Sequence, residues 1–179
     1  MKNTLPYIGL SLANAAIIIK TALSANSPDA LTLLRYALLV TFSYLAAITD
    51  LKTKTIPNRL ILHMLAAWLI VISIHVFWDI SSIISVLMSS VFGLIVGGGM
   101  FLLVYMVSNK GLGGGDVKFI SVAGLFLGFD KTIQAILYGT TIAALISLVL
   151  IWQKRINRKD TVPLAPFLFI GVVITLLLQ

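Results

Sequence analysis

The chain has 179 residues, 59% of them hydrophobic and 11% charged, with a net charge of +7 and a mean hydropathy of +1.06. A soluble domain of this length carries roughly twice that share of charge, so an ordinary soluble fold is excluded. There is no cysteine, and the two histidines, His63 and His75, are far apart in sequence, which excludes disulfides and thiolate metal sites and implies neither a metal nor a cofactor.

Seven apolar segments follow one another, at about 5–23, 31–49, 60–77, 82–107, 117–129, 132–152 and 164–178. Their length is that of membrane helices, not of the short alternating strands of a barrel. The expected fold is all-α, a polytopic membrane bundle of about seven transmembrane helices. Residues 1–30 form one extra N-terminal helix and loop, and residues 31–179 form a six-helix core. The first segment has no clear small-residue cleavage site and is followed at once by further spans, so it reads as retained rather than as a signal peptide.

The second segment ends in Ile48-Thr49-Asp50-Leu51-Lys52-Thr53-Lys54-Thr55-Ile56-Pro57-Asn58. Asp50 stands just after a long apolar run. Pro57 fixes its own φ and disfavours helix at Ile56, which stops this loop from winding into the next span. Asn58 is placed to cap that span. His63, one turn further on, reads as an interfacial or packing residue, and His75 as structural.

The fourth segment carries Ser85, Ser89, Gly93 and Gly97 at every fourth position, and the sixth carries Ala135, Gly139, Ala143 and Ser147. This spacing puts each set on one helix face, where small side chains let helices approach closely in lipid. Between them comes Gly111-Leu112-Gly113-Gly114-Gly115-Asp116-Val117-Lys118, a glycine run ending in a carboxylate. Gly113, Gly114 and Gly115 can let an extended chain lie beside Asp116, and successive glycine N–H groups can form an anion-binding nest. Lys118 is free to pair with a nearby carboxylate or with lipid phosphate, and both readings stay open. The fifth segment is short for a span. A thin-membrane helix, a half-helix and a re-entrant segment all fit it.

The charges test the topology. With the Asp50 loop in the cytoplasm, Lys2, Lys52, Lys54, Arg59, Lys110, Lys118, Lys154, Arg155, Arg158 and Lys159 fall on the cytoplasmic side, and only Lys20, Arg35 and Lys131 fall outside. That distribution obeys the positive-inside rule. The three exceptions lie near span ends, where long side chains snorkel. The basic residues are spread over short loops instead of one patch, which argues against nucleic acid as a partner and for an anionic lipid surface.

The same assignment puts Asp50 and Asp116 on one membrane face. The chain contains no glutamate, and its other aspartates are Asp29, Asp79, Asp130 and Asp160. The first three go to the opposite face, and Asp160 sits in a basic loop beside Arg158 and Lys159. Two carboxylates at one face, each beside a helix end, suggest a dyad that shares a proton, one member acting as acid and the other as base. From the helix dipoles, Asp116 at a helix start is the anion and Asp50 near a helix end is the protonated partner, an order that Lys52 and Lys54 can reverse by stabilising an Asp50 anion.

Asp50 with Ile56-Pro57-Asn58, followed by Gly113-Gly114-Gly115-Asp116 and Lys118, resembles the type IV prepilin peptidase family, which includes the archaeal preflagellin peptidases. Its members are GxGD-type membrane aspartic proteases. The resemblance runs from about Leu31 to the C-terminus and includes Pro163-Leu164-Ala165-Pro166-Phe167-Leu168, similar to the Pro-rich entry of that family's last helix. It implies that Asp50 and Asp116 are catalytic and that Gly113, Gly114, Gly115, Lys118, Pro57 and Asn58 support the substrate and the loops. It also implies a prepilin-like or preflagellin-like substrate, whose short basic leader is cut off at the cytoplasmic face of the cell membrane. Longer members carry an N-terminal methyltransferase domain with a cysteine-bound zinc, and nothing in this chain matches it, so a peptidase without methylation activity is expected. The alternative is a small transporter or ion pathway that uses the same aspartates, or a non-catalytic scaffold. Transport favours carboxylates near the bilayer midplane and internal repeats, whereas here both lie at span ends.

Overall fold

A computed structural model of the chain describes residues 30–108, 112–155 and 162–178. The first apolar segment, 5–23, lies outside the described residues. So does the Asp160 loop. Six helices follow in order: α1 Ala30–Thr53, α2 Asn58–Trp78, α3 Ile83–Val107, α4 Gly114–Leu127, α5 Phe129–Trp152 and α6 Ala165–Leu177. The described residues contain no strand. Four helices, α1, α2, α3 and α5, are long and apolar enough to cross a membrane. Their outward faces carry Leu62, Leu69, Ile70, Leu103, Leu145 and Leu148, all exposed. Trp78 and Trp152 end α2 and α5 with their rings outside the bundle, as expected of an aromatic belt. The chain is a polytopic helical membrane protein.

Local chemistry sets the helix ends. Pro57 is extended, with φ −69° and ψ 136°, and α2 starts directly after it. Pro166 stands in the first turn of α6, where a missing N–H loses nothing. Gly128 both ends α4 and starts α5. Its φ of 77° is a conformation that other residues avoid, and it lets the chain reverse through a single residue.

Packing follows the small-residue stripes. A Cβ added at Gly93 would lie 2.3 Å from the Gly124 carbonyl oxygen, and one at Gly97 would lie 2.8 Å from that of Ile120. The backbones of α3 and α4 therefore touch, in antiparallel register. On the other side of the bundle a Cβ at Gly171 would lie 2.3 Å from the Ala135 carbonyl oxygen, and one at Gly139 would lie 3.0 Å from that of Phe167. Within a membrane such contact replaces the hydrophobic effect as the source of helix association. Ser89 also packs closely, since a Cβ at Gly128 would lie 2.4 Å from its Oγ, and with Ser85 it lines a cavity at the far end of the bundle.

The α3–α4 register answers the question left by the short fifth segment. Helix α4 starts beside the Asp50 loop and ends at Gly128, where the Phe129 N–H meets Ser89 Oγ near the start of α3. It joins opposite ends of the bundle and does not turn back. Its shortness, 14 residues or about 21 Å, sets its first residues below the ends of the longer helices. Trp68 fixes its far half to α2 through Nε1, which donates to the Leu125 carbonyl at 2.9 Å.

Candidate active site

Helix α1 continues past the apolar run to Thr53, so Asp50 is not in the loop. It lies in the last turns of the helix and is only 4% exposed. Its Oδ2 accepts a hydrogen bond from the backbone N–H of Ala165 at 3.0 Å. Ala165 is the first residue of α6, so the free N–H groups of a helix start face the carboxylate. Sequence reasoning missed this partner. The Pro163–Pro166 entry marked the start of α6, but only the antiparallel packing of α1 on α6 brings that start to Asp50. Tyr44 and Phe169 lie edge to face along the same seam, with centroids 5.6 Å apart.

The chain then turns sharply. Lys54 has a φ of 52°, its N–H donates to the Asp50 carbonyl at 2.8 Å, and the Thr53 and Thr55 hydroxyls lie 3.0 Å apart. Ile56 leaves this turn pointing inward and is buried. Gly115 sits against it. A Cβ at Gly115 would be 3.3 Å from Ile56 Cβ and 3.4 Å from its backbone, so the absence of a side chain lets the two loops close on each other. Asn58 is the first residue of α2 and does not cap it. Pro57 occupies the cap position with no side-chain bond, and Asn58 Oδ1 accepts from Lys118 Nζ at 3.0 Å. Lys118 is thus engaged with Asn58, a partner that neither sequence reading named.

Asp116 lies in the first turn of α4, outside the four long apolar helices. Its backbone N–H donates to the Gly113 carbonyl at 3.1 Å. Its Oδ1 is buried and has no hydrogen-bond partner. Burial, and after it the negative charge of Asp50, pushes the carboxyl up to about 6. Asp116 therefore holds its proton more readily than a free carboxyl, against the order expected from the helix dipoles alone. The dipole argument counted only the two helices that carry the aspartates and left out burial and the neighbouring charge.

Asp50 and Asp116 line one cleft of about 210 Å³, together with Lys54, Thr55, Ile56, Asn58, Gly113, Gly114 and Gly115. The three glycines differ. None has a positive φ. Gly114 faces open space, whereas a Cβ at Gly113 would come within 2.9 Å of Asp116 Oδ2. Neither histidine takes part. His63 is exposed, with Nδ1 against the Arg59 carbonyl, and His75 meets Ser82 Oγ at 2.9 Å at the opposite end. Asp79 is also at that end, held well below the usual carboxylate range, at about 2, by hydrogen bonds from Ser81 and Ser82. Among the described residues no group of three or more histidines and carboxylates could hold a metal.

Residues 37–148, more than half of the chain, match the model of the type IV leader peptidase family. The chain belongs to this family. The matched stretch contains both cleft aspartates and stops before α6. Among curated relatives, the prepilin leader peptidase/N-methyltransferase of Burkholderia pseudomallei (strain 1026b) is 27% identical over 171 residues, 95% of this chain and 54% of the relative. The protein of the same name from Bacillus subtilis (strain 168) is 29% identical over 136 residues, 74% of this chain and 51% of the relative. That from Pseudomonas aeruginosa is 29% identical over 142 residues, 78% of this chain and 48% of the relative. The chain therefore spans about half the length of the curated relatives it matches. No solved structure gives a significant match.

Proposed function

We propose that this member of the type IV leader peptidase family is an aspartic endopeptidase that removes the basic leader from prepilin-like precursors, with Asp50 and Asp116 as its catalytic pair. The observation that carries the reading is the shared cleft: two carboxyls from distant parts of the sequence, one buried against the start of α6 and the other poised to hold a proton.

In this scheme the Asp50 carboxylate removes a proton from a water molecule, and the resulting hydroxide attacks the scissile carbonyl carbon. Asp116 gives its proton to the carbonyl oxygen as the tetrahedral intermediate forms. The proton on Asp50 then passes to the leaving nitrogen as the C–N bond breaks, releasing leader and mature protein. The carbonyl oxygen of the new acid returns its proton to Asp116. No covalent enzyme intermediate is needed. Ala165 keeps Asp50 oriented. The open flank at Gly114 offers room for an extended substrate backbone, while Gly113 gives the Asp116 carboxyl the space it occupies. The cleft faces the cytoplasm of the cell membrane in this reading, where a basic leader would meet an apolar helix, and anionic lipids surround it.

Purified protein incubated with a panel of prepilin-like precursors tests the reading. A shortened product whose new N-terminus lies at the leader boundary is expected. Folded protein that leaves every precursor intact would overturn the substrate assignment. For orientation, a cysteine placed at Thr53 should react only with reagents admitted to the cytoplasm and one at Ser81 only from outside. The native chain has no cysteine to obscure the result.

A further inference from the structure

At the end of the bundle opposite the cleft, Arg35, Ser85, Val86, Ser89, Ser90 and Gly128 line an open cavity of about 320 Å³. Its lining holds two buried polar groups without a partner. Arg35 Nε is buried with no hydrogen-bond partner. Ser90 is 1% exposed, and its hydroxyl is also buried without a partner. Ser89 Oγ accepts from the Phe129 N–H at 3.3 Å, which leaves its own proton free to point into the cavity. The start of α5, a 24-residue helix, closes one side at Gly128. Among the described residues no carboxylate pairs with Arg35. Its guanidinium lies 5.4 Å from the centre of the Tyr36 ring. Lys131 approaches the same ring at 4.7 Å and bonds to its hydroxyl.

We propose that this cavity binds the phosphate of a phospholipid headgroup, with Arg35 as the charged contact and Ser89 and Ser90 as hydroxyl donors, while Ser85, whose hydroxyl donates to the Ser82 carbonyl at 2.7 Å, lines the wall. A planar guanidinium beside two hydroxyls suits an anion with more than two acceptor oxygens, and phosphate is the common one. The lipid source follows from the surroundings. Met88, Phe92 and Phe129 expose 55%, 49% and 40% of their surface near the cavity, and the two phenylalanine rings meet edge to face at 6.4 Å. Acyl chains leaving a bound headgroup would run over this apolar surface. The site explains why two of the three basic residues that break the positive-inside pattern, Arg35 and Lys131, converge here rather than extend outward. It is independent of what the cleft cuts.

The test uses delipidated protein in detergent, titrated with phosphatidylglycerol and followed by native mass spectrometry. One retained lipid per chain is expected. Arg35→Gln should weaken retention by roughly tenfold, the worth of one charge-assisted hydrogen bond. Inorganic phosphate in excess should not displace the lipid. In parallel, a photoreactive phosphatidylglycerol with its probe on the headgroup should label native protein between Ser85 and Ser90, a result that does not depend on the variant folding. Equal retention by Arg35→Gln, labelling confined to other segments, or full displacement by inorganic phosphate would each overturn the assignment.

Discussion

The two ends of the bundle hold their charged groups in different ways. At the cleft end, two carboxyls line one cleft, and their partners are backbone N–H groups and space left by glycines. At the far end, two cations share one tyrosine ring, and the Ser90 hydroxyl and Arg35 Nε are buried without a hydrogen-bond partner. The contrast teaches how a chain with six acidic residues builds chemistry in lipid. The cleft end brings like charges together, which raises the affinity of one for a proton. The far end leaves donors unmatched, which favours a ligand from outside. One end is suited to reaction and the other to attachment.

The sharpest way to break this division is to neutralise the cleft. Asp50→Asn and Asp116→Asn should each reduce precursor cleavage by about 10³-fold or more, and the double variant should be no worse, because the pair acts as a unit. Phosphatidylglycerol retention should be unchanged in both. Asp79→Asn and Asp130→Asn, at the far end, should cleave normally. A gel-based cleavage assay on inserted protein decides this. Near-normal cleavage by Asp116→Asn would remove it from the proposed pair.

A change at the waist should erase the contrast. Gly124→Val would drive a side chain into the Gly93 carbonyl, where even a Cβ would lie 2.2 Å away. A loss of about 3 kcal/mol in stability is expected, with cleavage and lipid retention falling together. Thermal melting in detergent checks it.

The pH profile separates the ends next. Asp116 is neutral below about 6 and charged above it. If it supplies the proton, kcat/KM falls about tenfold per pH unit above that point. The stability sign follows from the same shift. A carboxyl whose folded value lies above its unfolded one favours folding while it is neutral, and that contribution is lost as pH rises through about 6. Asp116→Asn should therefore melt higher than the parent at pH 8 and no higher at pH 4.

Smaller effects sharpen the geometry of the cleft. Gly113→Ala presses on Asp116 Oδ2 and should lower cleavage by about tenfold. Gly114→Ala meets open space and should stay within about twofold. The smallest effect is expected for Lys118→Met, which removes an exposed hydrogen bond to Asn58 and should lower cleavage about threefold.

Much of this was legible in the sequence. Apolar length gave the helices, Pro57 and the Pro163–Pro166 stretch marked two starts, and the every-fourth-residue stripes foretold the contacts at Gly93, Gly97, Gly139 and Ala135. The glycine run and Asp50 pointed to one face because both follow apolar segments of known parity. What stayed hidden depends on which helices become neighbours. The Ala165 N–H at Asp50 needs α1 beside α6, and the Lys118–Asn58 bond needs α2 beside α4. Ser85 fits the packing stripe by spacing alone. Only the placement of Arg35 and Gly128 shows that it and Ser89 line a cavity.

The short length of α4 and α6 has a consequence for depth. Carrying the pairing of Gly97 with Ile120 along α3 puts Asp116 level with Phe101, six residues before α3 ends at Val107, which is about 9 Å. Carrying the pairing of Gly139 with Leu168 along α5 puts Ala165 level with Ile142, ten residues before Trp152, or about 15 Å. The starts of α4 and α6, which place Asp116 and the Ala165 N–H, are thus set back from the ends of α3 and α5. Under the proposed function, a precursor helix would have to uncoil over such a distance before a peptide bond met the carboxyls, and the cut point would be gauged as a length, with side-chain identity secondary to reach.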